Sequence, residues 1–479
     1  MSNSNKKNCH ILVPILLTLM LAGCQAGTAV PLPSETAALP TAAPRLPTPT
    51  ATSTPTQTPT ATAVPIPAAE LADLNGLELT VLYPWINESE AAFNSLVENF
   101  NTNNAWGLRV VPGSGGSLSA VADGLAAGEL DANLVIGNGF DLAPAAKSGT
   151  LISLTPYMRD AEWGLSGVYP PEFVFADLAP NPDDETDWGY LPIAYQPALI
   201  YYNQSWGEEL GFDAAPSTPE ELQAQMLPAA AEKLLDKDDT NNGAGGLWIS
   251  DSAQAPLAWY QAFGGQITAK ENALSFNNSA FQDAITFLKG AYAQDAAWVG
   301  LQKTPYDYFA RRQALAYEGT LDDLLAQEGT IARAGSSDTF VTLPYPTADG
   351  SGSISLETLS VGIRAGSNAE QLGAWLFARW LLSAPAQEVL VSVSGFWPAA
   401  GDPGNIAPDY TRQHPAWASA LRTDTRLQLA PERENWAFSR LVLQDALRRA
   451  YQLDLEYIPT VLETLDATLA ELAGAGSGD

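Results

Sequence analysis

The chain reads as an α/β protein built on a parallel sheet, and two observations carry that reading. Between Leu77 and Gly137, short β-prone runs alternate with amphipathic helical stretches, the pattern that parallel strands with helical crossovers produce. Hydrophobic residues make up 46 % of the 479 positions, enough to fill a sizeable core behind such a sheet.

The elements follow in order. Leu77-Glu78-Leu79-Thr80-Val81-Leu82-Tyr83 is a first strand. The spacing of Phe93, Leu96, Val97 and Phe100 predicts a helix with one apolar face. Asn87 is placed to cap it, with Glu90 three residues later completing a capping box. Leu108 to Pro112 forms a second strand, and the turn Gly113-Ser114-Gly115-Gly116-Ser117 leads into an Ala-rich helix reaching Glu129. Leu134-Val135-Ile136-Gly137 is the third strand. The glycine turn lacks the Lys-Ser/Thr ending of a phosphate loop and matches no dinucleotide fingerprint. Ligands of such sheets lie at the carboxyl ends of the strands.

The N-terminus carries a different message. Lys6 and Lys7 precede an apolar run from Ile11 to Leu21, the layout of a secretory signal and too short to span a membrane. Leu21-Ala22-Gly23-Cys24 resembles the lipobox of bacterial lipoproteins. That resemblance implies a signal peptide over 1–23, removed to leave a lipidated Cys24 on the extracytoplasmic side of the cell envelope. Residues 24–70 then form an anchor and linker. Within it, Pro31 to Pro67 holds 10 Pro, 10 Thr and 7 Ala in 37 residues, a composition that favours extended chain over a packed core. It reads as a stalk.

Charge and reactive side chains exclude several functions. From Ala68 onward the chain carries 53 acidic and 20 basic residues, a net charge of −33. This opposes nucleic acid and anionic lipid as partners, leaving the lipid anchor as the membrane contact. With Cys9 and His10 in the leader, only Cys24 and His414 remain. A zinc site of His and Cys ligands, a Cys–His nucleophile pair and an internal disulfide are therefore not expected. A Ser-His-Asp triad lacks its G-x-S-x-G elbow. An extracellular glycosidase, which needs only two carboxylates, stays open. So does a cleft-bearing sensor or protein-interaction lipoprotein. No cofactor or metal is expected. The segment Asp236 to Gly243 is oxygen-rich like a calcium loop, but Ile249 stands where the bidentate Glu belongs, so a solvated loop is the reading adopted.

An ordered set of short motifs extends the picture. Leu79 to Asn87, Leu134 to Phe140 with Gly149 to Leu154, and Tyr190 to Tyr195 with Ala198 to Asn203 come first. Pro219-Glu220-Glu221-Leu222, Val341 to Pro344, Leu359 to Ile363, Ser383 to Glu388 and Gly395-Phe396-Trp397-Pro398 follow. In this order they resemble the extracellular solute-binding proteins of ABC sugar importers, the maltose-binding-like family. The resemblance runs from Leu77 to Pro398. It implies a two-lobed periplasmic-binding-protein-like fold, each lobe a sheet flanked by helices, with the ligand in the cleft between them. Lobe I would be 71–191 plus 345–395, and lobe II 192–344 plus 396–479. Hinges would fall near Leu191-Pro192, Leu343-Pro344 and Phe396-Trp397. It further implies a monomeric, non-enzymatic receptor for a sugar or similar small solute, with ABC permease subunits as partners.

Candidate ligand-binding residues follow from position. Trp85 and Asn87 end the first strand, although Trp85 also suits the core and Asn87 the helix cap. Asn138 and Asp141 follow the third strand in the same way. Tyr195 and Gln196 sit at the first crossover, and Trp397 at the last hinge. Trp259 precedes Gly264-Gly265 as a candidate sugar platform or a helix core residue. Glu318, ahead of Gly319-Thr320, and Glu357, ahead of Leu359 to Ile363, complete the set.

Overall fold

The architecture was taken from a computed structural model that describes residues 71–166, 187–233, 245–267, 274–300, 304–432 and 435–475. Cys24, the linker and the Asp236–Gly243 loop lie outside the described residues.

Strand β1 (Glu78–Tyr83) buries Leu79, Val81 and Tyr83 on alternate positions. Helix α1 (Asn87–Asn103) buries Phe93, Leu96, Val97 and Phe100, the face its spacing requires. The expected capping box is absent. An N-cap needs extended backbone, and here Ile86 supplies it, while Asn87 lies at φ +57 and makes no capping bond. Glu90 is instead taken by the Tyr83 hydroxyl, which donates to it at 3.1 Å.

Strand β2 (Arg109–Ser114) pairs parallel with β1, and so does β3 (Leu134–Asn138), as the alternation predicts. Between them helix α2 (Leu118–Ala127) starts on Ser117, whose hydroxyl accepts from the Ala120 amide at 3.1 Å. The glycine turn therefore serves packing and capping. A Cβ on Gly115 would stand 2.4 Å from the Val121 side chain. The helix stops two residues short of Glu129 because Gly128 adopts the left-handed conformation at its end. Helix α3 (Gly139–Lys147) follows β3 directly.

The remaining strands are β4 (Leu191–Asn203), β5 (Gly245–Ile249), β6 (Ala297–Val299), β7 (Ala314–Thr320), β8 (Phe340–Leu343), β9 (Ser353–Ile363), β10 (Trp397–Pro398) and β11 (Arg426–Leu429). The main path runs β2-β1-β3-β9-β4-β7-β5-β6. Two long strands hold it together. The first half of β4, Leu191 to Pro197, pairs antiparallel with β9; its second half, Ala198 to Asn203, pairs with β7 and β8. Strand β9 pairs with β11 through Ser353–Leu356 and with β3 through Leu359–Ile363. Every residue of both strands is buried, and β4 carries a register shift between Pro192 and Ala194.

The strands thus form two sheets that share β4, one holding β2-β1-β3-β9 and the other β7-β5-β6. One large apolar cluster runs along the first sheet and on to one face of the second, through Trp248, Trp298 and Tyr317, and another covers the second sheet's opposite face. Around the first, α1 packs against the helix Ala384–Ser394, and Phe100 meets Phe377 edge-on at 5.0 Å. Around the second, Trp259, Phe281, Leu288 and Leu443 belong to one cluster under the helices Ala255–Ala262, Ser279–Ala293 and Trp436–Gln452. The expected α/β two-lobed fold is the observed one.

Candidate functional site

The point where β4 and β9 exchange partners is the place to look for chemistry. Gln196 stands opposite Glu357 in the register, and Tyr195 opposite Thr358. The pleat sends Gln196 and Glu357 to one face and Tyr195 and Thr358 to the other.

On the first face a chain of polar contacts links elements far apart in sequence. The Gln196 amide donates to Asp322 at 2.5 Å. Gln254, at the start of the helix Ala255–Ala262, donates both to Gln196 at 3.4 Å and to Glu357. Arg440, on the helix Trp436–Gln452, donates to the other oxygen of Glu357 at 2.8 Å and lies over the Phe140 ring at 4.7 Å. Beside it, Asn138 donates to Asp141 at 3.0 Å. On the second face, the Thr358 hydroxyl donates to Glu432.

Burial governs the electrostatics. Glu432 is pushed up to about 7, chiefly by loss of water, with a neighbouring carboxylate adding to the effect; Asp322, which is exposed, is raised in the same direction, with the carboxylates of Asp323 and Glu357 contributing. Glu357 is also raised by burial, against which Arg440 and the Gln254 bond pull it down. Asp141 is raised for the same first reason and is lowered by Asn138 and Arg440.

The residues expected at the site separate into groups. Gln196, Glu357, Asn138 and Asp141 come together around Arg440, with Tyr195 buried on the opposite face of β4. Glu318 and Trp259 sit elsewhere, inside the second sheet's core. The Trp259 indole donates to Glu318 at 2.5 Å, and the Ser250 amide takes the other oxygen at 2.8 Å. Trp259 has no exposed face, because Phe263, Phe287 and Tyr345 pack around its ring. Burial pushes Glu318 up to about 7. Trp397 is fully buried, its indole donating to the Trp417 carbonyl at 3.0 Å. Trp85 is half-buried against Tyr83 and Phe93, and Asn87 is exposed beside it.

Sequence reasoning missed Arg440, Gln254, Asp322 and Glu432. Arg440 left one usable trace. With Trp436, Leu443 and Leu447 it lies on the buried stripe of its helix, an unusual seat for a cation in so acidic a chain. A separate groove of about 460 Å³ runs between the helices Trp436–Gln452 and Ile458–Ala475, lined by apolar residues such as Leu441 and Val461, and holds none of these groups.

Comparison with known proteins agrees with this architecture. Residues 95–411 match the family model for bacterial extracellular solute-binding proteins. Among solved structures, the cyclic α-maltosyl-1,6-maltose binding protein of Arthrobacter globiformis is similar with a TM-score of 0.65 at 17 % identity, over 83 % of this chain and 99 % of that one. The sugar-binding protein MalE of Xanthomonas citri gives 0.65 at 17 %, over 84 % and 98 %. UgpB of Mycobacterium tuberculosis, in complex with glycerophosphocholine, gives 0.61 at 17 %, over 83 % and 99 %. No curated protein sequence matches the chain.

Proposed function

Since the chain belongs to the family of bacterial extracellular solute-binding proteins, we propose that it captures a carbohydrate or similar small polar solute and delivers it to an ABC transporter. The observation that carries this reading is the polar chain Asp322–Gln196–Gln254–Glu357–Arg440, in which Gln196 and Glu357 of the paired strands β4 and β9 meet residues that follow β7 and β5 and a residue of the helix Trp436–Gln452. Amide and carboxylate groups at such a crossing suit the hydroxyls of a sugar, and the similar proteins include sugar binders. In this reading the body divides into lobe I (71–191 and 345–395) and lobe II (192–344 and 396–479), and solute closes one on the other by a hinge motion. It acts as a monomer without turnover. Cys24 carries the lipid, and the Pro/Thr-rich linker holds the body off the membrane.

Calorimetry against a panel of mono- and oligosaccharides tests capture; small-angle scattering with saturating solute tests closure. Binding accompanied by compaction is expected. Release of reducing sugar from any of these compounds would overturn the receptor reading in favour of a carboxylate-based hydrolase.

A further inference from the structure

A cavity of about 400 Å³, within the size range of small-ligand sites, lies beside the first sheet and away from the crossing. One wall is Trp106, between the end of α1 and the start of β2. Because β1, β2 and β3 run parallel, Trp106 marks their amino ends and Asn138 their carboxyl ends. The other wall is the turn from the helix Asn368–Trp380 to the helix Ala384–Ser394, where Arg379, Trp380, Leu382 and Ser383 line the space with Leu376. Both tryptophans are half-buried. Trp106 meets Trp163 edge-on at 6.1 Å, and Trp380 packs on Phe100 at 5.2 Å.

Polar groups in this lining lack partners. Arg379 is half-buried in a strongly acidic chain, yet among the described residues its side chain makes no ion pair or hydrogen bond, and no carboxylate lines the cavity. The Ser383 Oγ is shielded from water and unpaired. A serine that begins a helix ordinarily accepts from an amide two or three positions on. Ser383 makes no such bond, and Pro385 has no N–H to give. The indole N–H groups of Trp106 and Trp380 likewise bond to no described residue. Shielded polar groups in native proteins are nearly always paired, so this set calls for a group from outside the chain.

We propose that this cavity is a second solute site, separate from the one at β4 and β9, and that it takes a uronic acid, a pyranose ring bearing a carboxylate. The carboxylate accepts two parallel bonds from the Arg379 guanidinium. The ring lays its C–H face on an indole, and its oxygens accept from Ser383 and the indole N–H groups. An aromatic acid would suit the apolar walls but leave those donors unmet. The acidic body does not forbid an anion here, because at ~0.15 M salt charges beyond about 8 Å are largely screened and the cavity's own charge is that of Arg379.

Galacturonic acid and its methyl ester share a ring and differ in charge, which makes them a suitable pair. Calorimetry of the full protein should show at least tenfold tighter binding of the acid, weakening as salt is raised. Arg379→Gln should erase that preference at an unchanged urea midpoint, and Trp106→Ala should weaken binding at least tenfold. Gln254→Ala, at the crossing, should leave it intact. Hydrogen exchange of the unaltered protein with the acid should show new protection at 104–108 and 376–387. Equal binding of acid and ester, binding of neither, or protection at 250–257 in place of those segments would overturn this proposal and leave the capture reading standing.

Discussion

Glu357 and Arg440 meet at 2.8 Å, joining strand β9 to the helix Trp436–Gln452. They are 83 residues apart in sequence, and both side chains are largely removed from water. A pair of this kind is costly to break from one side, because the remaining charge stays buried.

Arg440→Met should destabilise the protein by about 3 kcal/mol. Glu357→Gln combined with Arg440→Met should recover most of that loss, since no charge is then stranded. Urea unfolding of the two single variants and the double variant checks this. Strictly additive losses would show that the pair is not coupled.

Stability should fall as pH rises from about 4 to about 7 through the carboxyls that burial raises. Glu318 and Glu432 each reach about 7 in the folded protein, against an unfolded value of ~4. The folded state therefore holds more protons in that window, and raising the pH favours unfolding. Carboxylates that are lowered, such as Asp338 beside Arg312, act in the opposite direction and at lower pH. Urea midpoints measured from pH 5 to pH 8 should decline, and Glu432→Gln should flatten the decline. A pH-independent midpoint would contradict the assignment.

Trp85→Ala removes a ring packed at 6.1 Å from Tyr83 and 4.8 Å from Phe93, with its remaining surface open at the carboxyl end of β1. We expect a stability loss of about 2 kcal/mol, below the full cost of a buried aromatic, together with weaker solute binding. An unchanged dissociation constant would assign Trp85 to packing alone.

Gly246→Ala should unfold the second sheet's core locally. A Cβ there would lie 1.9 Å from the Ala296 carbonyl oxygen, a backbone atom between β5 and β6 that has little room to move. A loss of about 3 kcal/mol is expected from such overpacking, read as a lowered melting temperature. Wild-type stability in this variant would show that the two strands can separate.

Much of the fold was legible because it is written in local periodicity. The stripe of Phe93, Leu96, Val97 and Phe100 and the parallel strands around it require only neighbouring residues to be read correctly. The capping box failed at that same local level. Asn87 and Glu90 have the right types and spacing, but the backbone turns one residue earlier and Tyr83 competes for Glu90. Trp259 shows a different limit. Its place before a Gly-Gly turn suits a platform or a core residue equally, and the rings of Phe287 and Tyr345 decide for the core.

The sequence by itself determined the acidic, His- and Cys-poor chemistry of the chain, its leader-like start, and the strand–helix alternation of its first sheet. These depend on composition and short-range spacing. Only the tertiary structure decided which polar groups meet. Gln196, Gln254, Asp322, Glu357 and Arg440 come from five separate stretches, and no local rule pairs them. They converge because β4 and β9 are each long enough to pair with strands of different neighbourhoods, and that partner exchange is a property of the assembled sheets.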